Sequence, residues 1–384
     1  MLPLRNLGRF FRKTIQQPGY ALKVANKRVK ACGYYHLGGG HSSFPEAITL
    51  FFTHRCNLRC KMCGQWGESG VTKSMDKEEL HEELSFEELK KVIDDAAPFK
   101  PNFTLFGGEP LLFAHCLDTI KYLKEKGLHC LMITNGSMVG MYAKALVDAG
   151  LNELNVSLDG GQDLHNEIRG MPNLFEKITK GLKEVTQYKK ETGAKKPFIN
   201  LQCTITKYNY EMLEQLIDVA SDIEANSLTY HNLIFINQEI IEKQKVVDER
   251  LMCSSHEWEG FIFEPEMDTE KLYQKMLAIQ ETKHPFNVDF YPNLTKKSLN
   301  EYYNNPSYLP TGYSPRCMSP WICAYVFPNG DVRPCLNSSY SFGNTAKESF
   351  PDIWNSEKAQ KYRQILKQSK IFPACIRCTE LYRY

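Results

Sequence analysis

Between residues 47 and 236, strand-like runs alternate with helical runs, and each strand-like run ends in a turn of polar or small residues. The strand-like runs fall at 48–52, 102–106, 130–134, 153–158, 198–206 and 228–236, and the helical runs at 86–97, 113–126, 138–149, 174–192 and 210–223. Ser85 with Glu88 forms a capping box that opens the first of these helices. Strands separated by helices must pair in parallel, through right-handed crossovers. The expected fold class is therefore α/β: a partial (β/α)6 TIM-like barrel, followed by a small cysteine-rich C-terminal domain. In such folds the chemistry sits where the strands end. The turns at 56–63, 107–109, 134–136 and 157–160 all lie at that end.

The first of these turns carries three cysteines, Cys56, Cys60 and Cys63, spaced C-x3-C-x2-C. Three thiolates on one short loop do not close a four-coordinate site, but they can hold three corners of an iron–sulfur cube and leave its fourth iron open. Arg55, Arg59 and Lys61 stand beside them to offset the thiolate charge, and Met62 suits the apolar side of the loop. Zinc-binding or scattered thiols are the alternative. A second group follows near the end of the chain: Cys317-x5-Cys323-x11-Cys335, then Cys375-x2-Cys378. Five cysteines suit one further cluster with a ligand to spare, and a structural zinc is the competing reading. Cys32, Cys116, Cys130, Cys203 and Cys253 show no ligand spacing and read as structural thiols.

Thirteen cysteines in 384 residues, grouped as metal loops and not as a disulfide ladder, point to a reducing compartment, hence the cytoplasm. No secretory leader is recognisable and no apolar run is long enough to span a bilayer. A net charge of +2 gives no basic domain for nucleic acid. Residues 1–45 form a basic extension in which Leu4, Leu7, Phe10, Phe11 and Ile15 recur at helical spacing. That stripe reads as a helix packed on the main domain, with peripheral membrane contact as the alternative. Residues 46–237 form the barrel and 238–308 an irregular connector with one or two helices, one at 269–281. Residues 309–384 are short, rich in Pro, Gly and Cys, and expected to need a metal for want of a core of their own.

The Cys triplet after the first strand, Gly107-Gly108-Glu109-Pro110 after the second, and Ser157-Leu158-Asp159-Gly160 at the fourth together resemble the radical S-adenosylmethionine (SAM) superfamily. The C-terminal cysteines, with Gly330 in Gly-x4-Cys, resemble its SPASM/Twitch auxiliary module. Met62 departs from the family, which usually has an aromatic residue there. The resemblance implies a [4Fe–4S] cluster on Cys56, Cys60 and Cys63 whose open iron takes the SAM amino and carboxylate groups. It further implies that Gly107 and Gly108 bind the cofactor by letting backbone approach closely at a strand end, that Glu109 accepts from the SAM ammonium, and that Ser157 meets the ribose and Arg169 the carboxylate. One auxiliary [4Fe–4S] cluster is implied on Cys317, Cys335, Cys375 and Cys378, with Cys323 as the alternative ligand. His231 reads as a satisfied core histidine, and Asp159 serves either the ribose side or the substrate.

The implied activity is reductive cleavage of SAM to a 5′-deoxyadenosyl radical, which takes hydrogen from a small polar or sugar-like substrate, as in a dehydrogenation. A reduced flavodoxin- or ferredoxin-type donor would supply the electron. No side chain is assigned a catalytic role. Modification of a ribosomal peptide is one alternative; a non-enzymatic iron–sulfur or zinc protein is the other.

Overall fold

The computed structural model describes residues 18–310, 313 and 315–383. The amphipathic stripe from Leu4 to Ile15 lies outside the described residues. Ten strands form one sheet: β1 (Ala47–Phe51), β2 (Asn102–Phe106), β3 (His129–Thr134), β4 (Glu153–Ser157), β5 (Phe198–Ile205), β6 (Ser227–Asn232), β7 (Asn287–Tyr291), β8 (Cys323–Val326), β9 (Asp331–Arg333) and β10 (Gly343–Asn344). Their order is β10-β9-β8-β1-β2-β3-β4-β5-β6-β7. Each pair from β8–β1 to β6–β7 is parallel, and β8–β9 and β9–β10 are antiparallel.

The two faces of this sheet differ, and the difference comes from alternation along each strand. Ile48, Leu105, Met132, Val156, Leu201 and Leu228 point to the helix-covered face and are fully buried. Each such side chain contributes about 1.5–3 kcal/mol by leaving water. The opposite face is more open, and toward the later strands it turns polar. Ser157 pairs across with Gln202, Asn155 with Asn200, and Thr204 with His231. The strands therefore carry an amide- and hydroxyl-lined wall up to their C-terminal ends.

Two parts of the sheet depart from the sequence reading. β7 lies within 238–308, among the helices Gln238–Leu251, Thr269–Glu281 and Lys296–Asn304. Its sequence, Asn-Val-Asp-Phe-Tyr, buries only Phe290 fully, so it shows no apolar run. β8 belongs to the C-terminal segment yet pairs directly with β1, with Tyr325 opposite Thr49. That segment also has an aromatic core, with Trp321, Phe342, Phe350 and Trp354 buried. Arg363, fully buried among them, donates to the carbonyls of Gly40, Pro320 and Trp354 and stacks over Trp354 at 4.3 Å. The expectation of a segment without its own core is thus corrected. A short helix, Gln162–Arg169, also escapes the sequence reading. Gly161 precedes it and Gly170, at φ 70°, ends it.

Candidate functional site: two cysteine groups at the strand ends

Backbone hydrogen bonds hold the loop after β1 against the turn after β2. Gly108 N–H donates to Thr53 O at 2.8 Å and Glu109 N–H to Arg55 O at 2.9 Å. A Cβ at Gly107, whose φ is +154°, would stand 2.7 Å from Thr53 O, and one at Gly108 would stand 2.2 Å from Arg55 O. Only glycine lets these two chains approach so closely. The close neighbour of the glycine pair is therefore the start of the cysteine loop itself.

Glu109 is fully buried. It accepts from Leu111 N–H at 3.1 Å, Thr134 Oγ1 at 2.8 Å and Asn135 N–H at 2.8 Å. Three of the roughly four lone-pair sites of a carboxylate are thereby filled by protein. Burial pushes its carboxyl pKa upward, and these hydrogen bonds oppose the shift. Asn135 passes the link on, donating to Asn57 Oδ1 at 2.9 Å and to Cys56 Sγ at 3.7 Å.

Every thiol of the triplet receives an N–H. Cys56 Sγ accepts from Leu58 N–H at 3.5 Å as well as from Asn135, Cys63 Sγ from Trp66 N–H at 3.3 Å, and Cys60 Sγ from Arg169 Nη1 at 3.7 Å. Burial pushes the Cys56 thiol up to about 11, with the charge of Cys60 and Cys63 adding to it. A bare Cys56 or Cys60 thiol is thus held toward its protonated form, whereas a metal-bound thiolate would find donors in place.

The cations expected to offset the thiolates are occupied elsewhere. Arg55 pairs with Glu83 at 2.5 Å, Lys61 with Glu167 at 2.6 Å, and Arg59 lies 4.1 Å over Trp66. The cation that reaches a thiol is Arg169, far off in sequence, whose Nε also donates to Asp159 Oδ2 at 2.5 Å. Asp159 Oδ1 accepts from Thr204 N–H at 2.9 Å, so the carboxylate is fixed on both sides. A polar cavity of about 310 Å³ opens outside the loop, between Arg59, Lys61, Lys73 and Tyr208.

Ser157 ends β4 on the open face, opposite Gln202. His231 stands two strands away on the same face, its Nε2 2.5 Å from Gln202 Oε1. It is half-buried in the wall and not in the core.

In the C-terminal group, burial raises the pKa of Cys317, Cys335 and Cys378, and the charge of neighbouring cysteines, Cys375 among them, adds to it, so the four thiols lie close together. Cys375 and Cys378 sit on and just after the turn of 3-10 helix Pro373–Arg377, with Cys378 N–H donating to Cys375 O at 3.1 Å. Cys323 opens β8 opposite Ala47, and its sulfur accepts from Arg383 Nη1 at 3.8 Å. Gly330, at φ +83°, makes the turn between β8 and β9. Cys116, Cys130 and Cys203 are buried in the apolar core.

Set against known proteins, residues 50–220 match the radical SAM superfamily and residues 317–379 match SPASM, an iron–sulfur cluster-binding domain. The Fe-coproporphyrin III synthase of Methanosarcina barkeri is 28% identical over 346 residues, covering 85% of this chain and 78% of that protein. The tungsten-containing aldehyde ferredoxin oxidoreductase cofactor-modifying protein of Pyrococcus furiosus is 22% identical over 354 residues, covering 86% of each. The crystal structure of Streptococcus suis SuiB bound to S-adenosylmethionine superposes with a TM-score of 0.59 at 15% identity, covering 92% of this chain and 79% of that one. A parallel α/β sheet with cysteines at its strand ends is thus the frame of a radical SAM protein. The chain belongs to the radical SAM superfamily, as a member with a C-terminal SPASM domain, and it is an enzyme. Its cofactors are SAM with a [4Fe–4S] cluster, and an auxiliary iron–sulfur cluster. The non-enzymatic and zinc readings fall with that assignment. Among the described residues, no helix is long and apolar enough to cross a membrane.

Proposed function

We propose that this enzyme cleaves SAM reductively and takes a hydrogen atom from a small polar substrate, most naturally on the way to an oxidised product. When bound, the cluster and SAM together supply the 5′-deoxyadenosyl radical. Cys56, Cys60 and Cys63 hold the cluster, and the N–H donor at each sulfur is the observation that carries the assignment. Gly107 and Gly108 keep the β2 turn against the loop, and Glu109 ties that turn to the end of β3 with one acceptor position left for the SAM ammonium. Ser157 faces the ribose, and Arg169 offers its remaining N–H groups to the carboxylate. Cys317, Cys335, Cys375 and Cys378 hold the auxiliary cluster, with Cys323 as the reserve ligand.

The open face supports a polar substrate. Asn155, Asn200, Gln202, Thr204 and His231 present amide, hydroxyl and imidazole groups there. The chain's own part is to bind and orient that substrate and to exclude water. The thirteen free thiols favour a reducing compartment such as the cytoplasm, and the electron would come from a flavodoxin- or ferredoxin-type donor.

Anaerobically reconstituted protein is expected to carry roughly eight irons per chain, as two cubanes require, and to convert SAM to 5′-deoxyadenosine once reduced. Cys60→Ala should abolish that product while about half the iron remains. Reduced wild type that releases no 5′-deoxyadenosine would end this reading.

A further inference from the structure

The guanidinium of Arg169 is committed at one end and uncommitted at the other. It stands at the last turn of helix Gln162–Arg169, and that turn is bound to the cysteine loop by Lys61 N–H donating to Ile168 O at 2.9 Å. Just beyond, a Cβ on Gly170 would lie 3.0 Å from Arg59 O, so helix end and loop touch. Arg169 Nε–H goes to Asp159, and one Nη1–H goes to Cys60 Sγ. Three of its five N–H groups remain. Both members of the pair are buried, where a charge acts over short range with little screening. Asp159 is itself anchored by Thr204 N–H, and its carbonyl by Asn209 Nδ2 at 2.9 Å, so it holds the arginine and does not follow it.

Hydrogen bonds to cluster sulfurs and nearby charges set the reduction potential of an iron–sulfur centre. A cation donating to a cluster thiolate favours the reduced, more negative state, and a carboxylate behind that cation weakens the effect. We propose that Arg169, positioned by Asp159, joins SAM binding to cluster reduction in this chain: one face of the guanidinium donates to Cys60 and the other receives the SAM carboxylate. This rests on the reading of Cys60 as a cluster ligand. Because the coupling is a free energy between two equilibria, SAM must shift the potential by the same factor as reduction shifts SAM affinity. Asp159 is then a positioning residue, neither a ribose contact nor a substrate base.

The test is an EPR-monitored redox titration of the reconstituted full-length protein, following the [4Fe–4S] signal that changes on adding SAM, with SAM affinity measured alongside. Arg169→Gln is expected to lower the reduction equilibrium constant tenfold or more, about 59 mV for one electron, and to shrink the shift caused by SAM. Asp159→Asn should move the potential the opposite way, and Asp159→Glu should restore it. In the double variant the Asp159→Asn effect should be smaller than it is alone. Mere loss of structure would move both single variants together, so a common direction overturns the proposal, as does a change under twofold in Arg169→Gln. Should Arg169→Gln lose its iron, Asp159→Asn decides, and no upward shift there overturns it. A wild-type protein without any SAM-responsive signal would sink the parent reading as well, whereas such a signal with an unmoved potential sinks this inference alone.

Discussion

The two cysteine groups differ in how the chain supplies their thiols. Cys56, Cys60 and Cys63 lie on one loop, with sulfurs that each accept an N–H and a half-open polar wall beside them. Cys317, Cys335, Cys375 and Cys378 come from separated stretches of chain and are half-buried, with the thiols of Cys317, Cys335 and Cys378 close enough for charge on neighbouring cysteines to add to the effect of burial in raising their pKa. A loop already tied by protein hydrogen bonds to the β2 turn, to Asn135 and to Ile168 can keep its shape whether or not its cluster is present. A site that gathers distant segments draws part of its folding energy from the metal. On the proposed function, the first would meet a ligand and the second would hold chain together.

The strongest way to break that contrast is to delete one thiol from each group. Cys378→Ala should cost several kcal/mol, in the manner of a structural metal site, and loosen the neighbouring 3-10 turns Pro373–Arg377 and Thr379–Tyr382. Cys60→Ala should leave the melting temperature close to wild type. Hydrogen exchange across both regions, on protein kept anaerobic, gives the reading. Equal loss of protection at the two sites would erase the distinction.

The same contrast explains what could be read from the sequence. The first group was legible because its cysteines are contiguous and follow an apolar strand, and the turns after β2, β3 and β4 are polar at matching places. Strand β2 and helix Leu174–Thr192 fall where alternation and periodicity put them, and the capping box of Ser85 and Glu88 is present. What stayed hidden depends on contacts far apart in the chain. The pairing of β8 with β1 joins residues on either side of the whole barrel, and β7 has too little apolar sequence to announce itself. The neighbours of the thiols were hidden for the same reason. Arg55, Arg59 and Lys61 adjoin the cysteines in sequence, but the side chain that reaches Cys60 comes from 109 residues further on. Proximity in sequence is a poor guide to which cation meets a thiolate.

A smaller effect sharpens the comparison at the first site. Glu109→Gln keeps the shape and one oxygen, which can still serve Leu111 N–H and Thr134 Oγ1. Its amide NH₂ would then face the N–H of Asn135, leaving a buried donor unsatisfied at a cost of about 1–3 kcal/mol. Asn135 also donates to Cys56 Sγ, so the variant should lose iron from the first cluster faster than from the second. Thermal unfolding and cluster-selective chelation separate those two outcomes. Unchanged iron retention would mean that Glu109 does not govern the loop.

The smallest expected effect concerns His165, packed behind the first site. It is fully buried, and its Nδ1 accepts from Asp159 N–H at 3.1 Å, which puts the proton of the neutral ring on Nε2. Burial is the main cause that pushes its pKa down to about 4; Asp159 pulls it up and Arg169 down. The folded value lies below the ordinary value near 6.5, so the unfolded chain takes up the proton first as the solution is acidified. The stabilisation from keeping the ring neutral is complete above about pH 6.5 and is lost as pH falls toward 4. Between pH 7.5 and 5 that amounts to about 2 kcal/mol. His165→Gln retains an acceptor for the Asp159 N–H but cannot titrate, so its unfolding free energy should fall less across this interval than that of wild type. If both proteins lose stability in parallel, the acid sensitivity lies elsewhere. Because His165 and Arg169 share Asp159, a flattened acid limb in the variant would also place the titrating group against the carboxylate that holds the arginine at Cys60.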